Sequence, residues 1–197
     1  MAYLLGSIPW GLVLTHWVGA DDIRSRGSGN IGATNVTRVA GKTIGAMTLA
    51  LDMLKGGLPV YGALLLIESR PIAGGQMFVA AVALSAFFGH LYPVFLKFKS
   101  GGKGVATALG CFLVISPEAC AGTMVVFCLI VWRFQYVSAG SLVASATLPV
   151  FTALWGNSPW LISAAFVIAV FIFIRHTANI RRLLKGTEPV FGTSGKK

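Results

Sequence analysis

The chain has 197 residues, of which 55% are hydrophobic and only 11% charged, and its mean hydropathy is +0.77. That leaves too little polar surface to cover a soluble globule of this size, so a bilayer is the natural solvent and a separate water-soluble domain is excluded. The net charge of +10 does not point to nucleic acid, because the basic residues sit in short links between apolar runs, where they set orientation and can meet lipid headgroups or anionic substrates.

A spanning helix takes about 20 apolar residues, and apolar runs fall at 3–18, 44–67, 77–95, 105–115, 119–132, 137–155 and 159–174. The first begins almost at Met1, with no basic region before it and no small-residue cleavage site, and reads as a span and not as a signal peptide. Ser116, Pro117 and Glu118 separate 105–115 from 119–132, and Pro117 lacks a backbone donor and disfavours a continuous helix there. Val105 to Ile115 reaches only about 16 Å as a helix, so this pair is a short crossing or a re-entrant hairpin. With the N-terminus outside, seven crossings place every lysine and arginine except Lys55 and Arg70 on the inner side. Six would carry Arg133 and the basic tail outward, against the positive-inside tendency. The expected fold is therefore all-α and polytopic: seven transmembrane helices, two of them short or re-entrant, ending in the cytoplasm. One membrane domain over 1–192 is expected, with 193–197 a tail.

Three inner segments carry the chemistry. The first is Gly27-Ser28-Gly29-Asn30-Ile31-Gly32-Ala33-Thr34-Asn35, followed by Arg38. Glycines allow close backbone approach, so successive N–H groups can converge on an anion while the hydroxyls and amides add donors and Arg38 adds charge. Its composition is that of a phosphate cradle. Gly41-Lys42-Thr43 resembles the end of a nucleotide-binding P-loop, but the glycine required five residues earlier is Val36, which rejects that motif.

The second, Lys97-Phe98-Lys99-Ser100-Gly101-Gly102-Lys103-Gly104, precedes an apolar helix. A helix N-terminus with an adjacent lysine suits phosphate, and Lys103, set among glycines, is the strongest single candidate. Lys97 and Lys99 read as interfacial side chains reaching for headgroups. In the third segment, from Arg175 and His176 to Gly186, His176 and Asn179 are three apart and share a helix face. Asp52 and Lys55, also three apart, are ionisable residues inside an apolar run, expected to pair or to face the site. Cys111, Cys120 and Cys128 have neither metal-site spacing nor a polar neighbour and read as core residues.

Taken together, Gly27 to Arg38, His90-Leu91-Tyr92-Pro93-Val94-Phe95 running into Gly101 to Thr107, and Arg175-His176 with Asn179 to Gly186 and Glu188 closely resemble the PlsY family of bacterial acyl-phosphate glycerol-3-phosphate acyltransferases. Tyr3 to Gly11 and Leu51 to Gly57 also look like the family, which usually runs Phe-Lys directly into Gly-Gly-Lys-Gly where Ser100 intervenes here. The resemblance implies a seven-helix protein of the bacterial inner membrane with its site on the cytoplasmic side. It implies transfer of an acyl group from acyl phosphate to the 1-hydroxyl of glycerol 3-phosphate, giving lysophosphatidic acid and phosphate, the first committed step of phospholipid synthesis.

Both substrates carry phosphate and the donor is already activated, so the protein need mainly bind two anions and aim a hydroxyl. Ser28, Arg38, Lys103, His176 and Asn179 are the expected catalytic residues. Gly27, Gly29, Asn30, Gly32, Thr34, Asn35, Gly101, Gly102 and Gly104 are expected to bind substrate phosphate. No metal, no cofactor and no obligate protein partner is expected; the partners are the two substrates and membrane lipid. His16 and Asp21 match the His-x4-Asp spacing of another acyltransferase class, but they straddle a span end and lack that class's companion phosphate-binding segment. A transporter of phosphorylated solutes would also use glycine-broken segments, yet the polar groups gather at one face and no internal repeat is visible.

Overall fold

The computed structural model describes residues 1–70, 73–99 and 101–191, and among these the only regular elements are helices. Ser100 and the tail from 193 lie outside the described residues. In chain order the helices are α1 (Ala2–Gly6), α2 (Trp10–Trp17), α3 (Ala33–Ser69), α4 (Gly75–Leu91), α5 (Val105–Ile115), α6 (Pro117–Phe134), α7 (Val137–Leu154), α8 (Pro159–Arg175) and α9 (Thr177–Leu184), with a single 3-10 turn at Val94–Leu96.

Most predicted runs coincide with helices, and the differences have local causes. The run at 3–18 is broken into α1 and α2 around Ser7-Ile8-Pro9, where Pro9 supplies no N–H. The run at 44–67 belongs to a longer helix that starts at Ala33 and is bent at Gly41, whose φ of 88° and ψ of 170° are open to glycine. Gly41 thus marks a kink, and the short helical arm before it carries Thr34, Asn35 and Arg38. Pro117 does end one helix and begin the next, opening α6 after an extended Ser116.

Among the described residues four segments are long and apolar enough to cross a membrane: α3, α4 with the 3-10 turn after it, α6 and α7. Taken together, α8 and α9, which bend by 61° at their junction, make a fifth. The protein is an all-helical, multi-pass membrane protein. Its helices pack through small residues, as bilayer helices do where lipid offers no hydrophobic drive to associate. A Cβ added at Gly56 would overlap Thr107 O and one at Gly110 would overlap Met53 O, so α3 and α5 touch backbone to backbone. Gly6 and Gly89 bring α1 against α4 in the same way. The interior is filled by Val60, Ala83, Phe87, Phe112, Ile168 and Ile172, while Leu58, Leu129, Trp132 and Phe166 face outward.

Candidate active site

The first loop is built around one side chain. Asn35, 2% exposed, accepts the Ser28 N–H through Oδ1 at 2.8 Å. Through Nδ2 it donates to the carbonyls of Ile23, Arg26 and Asn30 at 2.9, 3.1 and 2.9 Å. Asn30 Oδ1 in turn accepts the Gly32 N–H at 2.9 Å. Gly27 and Gly29 take φ of 58° and 69°, and a Cβ at Gly27 would overlap Asn35 Oδ1. The amide of Asn35 is therefore spent on the loop's own backbone. Ser28, Thr34 and Arg38 stay exposed, and Thr34 and Arg38, four apart, share a face at the start of α3. Arg24 pairs with Asp22 at 2.6 Å and Arg26 with Asp21 at 2.9 Å, whereas Arg38 has no acidic partner among the described residues. Asp21 thus pairs with Arg26 and not with His16.

The glycine-rich second loop is pinned from two sides. Arg175 donates from Nε to Gly102 O at 3.0 Å and from its terminal nitrogen to Gly101 O, and its guanidinium lies 6.0 Å from the Tyr92 ring centre. The Gly102 N–H donates to His90 O at 3.1 Å. Added Cβ atoms at Gly101 and Gly102 would overlap Leu91 O and His90 Nε2, and Gly104, with φ of 84°, opens α5. These contacts fix the backbone on either side of Lys103 while leaving its side chain to reach out of the loop.

Lys103 Nζ donates to Asn179 Oδ1 at 2.6 Å, joining the second segment to the third. Asn179 Nδ2 donates to Glu188 Oε1 at 2.6 Å, which also accepts from Ser138 Oγ at 2.6 Å, and Arg182 Nε meets Glu188 Oε2 at 2.7 Å. Burial pushes the Lys103 ammonium down to about 8; Glu188 opposes this, and Arg182, Arg38 and Arg175 add to it. Arg38 adds to the positive field at Lys103, so the first segment lies within electrostatic reach of the other two. His176, just past the end of α8 and 2% exposed, is pushed down to about 4 by burial and by Lys103. Its Nδ1 lies 2.8 Å from Ile172 O, which makes Nδ1 the N–H and leaves the lone pair on Nε2. Burial raises the Glu188 carboxyl, but hydrogen bonds from Ser138, Asn179 and Arg182 outweigh it and hold the group below its ordinary range.

Lys103, Asn179, His176 and Arg38 are thus gathered at one end of the bundle, and Glu188, Ser138, Arg175 and Arg182 join them as residues outside the expected set. Glu188 has a sequence signal, as a lone carboxylate in a basic terminal segment. Ser138 has none. Among the described residues no group of three or more His, Cys, Asp or Glu could hold a metal ion.

A multi-pass helical bundle that gathers a lysine, arginines and a glycine-rich loop at one end defines an integral membrane protein suited to anionic substrates. A family model for glycerol-3-phosphate acyltransferase matches residues 1–186, and the chain belongs to that family. A glycerol-3-phosphate acyltransferase of Syntrophotalea carbinolica is 53% identical over 96% of this chain and 94% of its own length. One of Geobacter sulfurreducens is 49% identical over 97% and 94%. A crystal structure of PlsY, an integral membrane glycerol 3-phosphate acyltransferase, in its glycerol 3-phosphate form superposes with a TM-score of 0.89 at 42% identity, covering 98% of this chain and 92% of that one. The lysophosphatidic acid form of PlsY gives 0.87 at 41%, with the same coverage.

Proposed function

We propose that this acyltransferase moves the acyl group of an acyl phosphate directly to the 1-hydroxyl of glycerol 3-phosphate, in a ternary complex. The hydroxyl oxygen forms the new ester bond to the acyl carbon, and the bond from that carbon to the phosphate oxygen breaks. Inorganic phosphate leaves with the bonding pair, and lysophosphatidic acid is the other product. The observation that carries the reading is the hydrogen bond from Lys103 to Asn179 beside His176, which joins two separate segments, with Arg38 of a third adding to the positive field at Lys103.

In this reading Lys103, at the N-terminus of α5 and flanked by Gly101, Gly102 and Gly104, holds one substrate phosphate. The second phosphate sits at the start of α3, where Gly32 begins the helix with no side-chain cap and Ser28, Thr34 and Arg38 add a hydroxyl pair and a charge. Gly27, Gly29, Asn30 and Asn35 shape that loop. His176 Nε2, neutral near pH 7, takes the hydroxyl proton, and Asn179 orients the acceptor. Fixed cations near the leaving phosphate offset the charge that develops there. The chain crosses the bacterial inner membrane seven times and turns this site to the cytoplasm, which puts nearly all its lysines and arginines inside.

The test is acyl transfer by the purified protein in lipid or detergent, with palmitoyl phosphate and labelled glycerol 3-phosphate, acyl-CoA as a parallel donor and Lys103→Ala as control. Lysophosphatidic acid from the acyl phosphate alone, lost in the variant, is expected. Product from acyl-CoA at an equal rate overturns the donor assignment, and full activity in Lys103→Ala overturns the site.

A further inference from the structure

Asp52 and Lys55 lie inside α3, each side chain 3% exposed, with Nζ and Oδ1 2.8 Å apart. Charges at such depth are costly and are kept where they hold something in place. Lys55 does so visibly, since its Nζ also donates to Ile8 O at 2.8 Å, a carbonyl in the break between α1 and α2. Asp52 faces a third group. Its Oδ1 is paired with Lys55, and His90 Nδ1 lies 3.7 Å from the same oxygen, beyond hydrogen-bond reach, so the buried Nδ1 has no hydrogen-bond partner among the described residues. Buried polar atoms left in this way demand an account.

The far edge of the same imidazole supplies one. His90 Nε2 fills the space that a Cβ at residue 102 would take, and His90 O accepts the Gly102 N–H at 3.1 Å. Gly101 and Gly102 present their carbonyls to Arg175, and Lys103 is the next residue. One ring therefore faces the intramembrane carboxylate with Nδ1 and the glycine-rich loop with Nε2. With the proton on Nδ1, the ring and the carboxylate attract at 3.7 Å without forming a hydrogen bond, enough to favour one ring orientation in a medium of low dielectric.

We propose that His90 is a positioning residue for the Gly101 to Gly104 loop, oriented from within the bilayer by Asp52. The Asp52–Lys55 pair then ties the α1–α2 break to the placement of Lys103. This rests on the reading that Lys103 holds a substrate phosphate. Removing either the carboxylate or the imidazole frees the loop without removing any group that touches substrate.

The experiment uses the full-length protein in lipid nanodiscs with Asp52→Asn and His90→Asn, reading hydrogen exchange in the peptide containing Gly101 to Gly104 together with kcat and the KM of each substrate. Exchange in that peptide rises in both variants, and the KM that Lys103→Ala raises goes up about tenfold, while the other substrate's KM stays within about twofold. A second pair guards against a folding defect: Gly102→Ala drives a Cβ into His90, and adding His90→Ala makes room, so the double variant loses clearly less than the two single losses combined. Unchanged exchange and KM values in folded Asp52→Asn and His90→Asn overturn the proposal, as do strictly additive losses from Gly102→Ala and His90→Ala. If Lys103→Ala leaves both KM values alone, the phosphate site fails instead, and loop exchange still decides the role of His90.

Discussion

Lys103 and Asn179, 76 positions apart in sequence, meet at 2.6 Å, with the ammonium donating to a neutral amide oxygen. A neutral partner fixes the direction of Nζ and leaves its charge for an incoming phosphate, whereas a carboxylate there would form an ion pair. Asn179→Asp is therefore expected to harm phosphate binding more than Asn179→Ala does. Steady-state kinetics should show kcat/KM lower by at least about tenfold in the aspartate variant than in the alanine variant. Equal losses would make Asn179 a structural residue only.

The Lys103 ammonium is held near 8, so its charge is lost within reach of ordinary assays. The cationic form is the one that binds phosphate, and it predominates below that value. In the substrate-free enzyme, kcat/KM is expected to be highest below pH 8 and to fall as pH rises through it. Lys103→Arg keeps its charge throughout and should flatten the alkaline limb whatever its absolute rate. A pH profile of both enzymes decides this, and an identical alkaline limb in the two assigns the titration to another group.

Glu188, 8% exposed, joins Ser138, Asn179 and Arg182 and closes the C-terminal segment onto α7. Its pKa is depressed in the fold, so the stability it contributes is present above the ordinary value of 4.5 and is lost as pH falls below that toward the folded value. Thermal unfolding in detergent should show the wild-type midpoint dropping below that pH. Glu188→Gln should start lower at neutral pH and change less on acidification. Activity should fall as well, because Asn179 loses its fixed orientation.

The helices were legible because their apolar runs are separated by proline, glycine and charge, and Pro117 divided α5 from α6 as its missing donor requires. The breaks at Ser7 to Pro9 and at Gly41 were less so: a proline or glycine in an apolar run is tolerated in a membrane, and the φ it adopts depends on what packs against it. Within the site, Lys103 stood out through its glycines, and His176 and Asn179 through their spacing. Asn35 was readable as a polar loop residue, but its inward orientation was not, since a donor aimed at backbone and one aimed at a ligand look alike in sequence. Ser138 carried no signal because its role depends on a segment fifty residues later folding back onto α7.

His176 is pushed down to about 4 and carries its lone pair on Nε2, so it is a neutral base across the physiological range. The profile of kcat/KM, which reports the substrate-free enzyme, should then show no acid limb from this residue between pH 5 and 7, and a base of this kind contributes about 10²–10⁴-fold. His176→Ala is expected to lose that much kcat with little change in the KM of either substrate. Near-normal turnover in His176→Ala would pass the proton to a substrate phosphate. A limb near pH 6.5 that disappears in the variant would show that the imidazole is less buried than its 2% exposure indicates.

Asn35 makes four hydrogen bonds to the loop that precedes it, and two variants separate its role as a scaffold from direct phosphate binding. Asn35→Ala removes all four, at about 1–3 kcal/mol for each buried group left without a partner. Asn35→Asp keeps an acceptor for the Ser28 N–H and loses the three donations from Nδ2. If Asn35 acts as a scaffold, both variants open the loop, so trypsin cuts faster at Arg24 and Arg26 and the KM of one substrate rises in both. Gly27→Ala should behave alike, because its Cβ would displace Asn35 Oδ1 at a backbone φ of 58°. A ligand role predicts another pattern, in which Asn35→Asp repels phosphate and raises KM far beyond Asn35→Ala while protease sensitivity stays at the wild-type level.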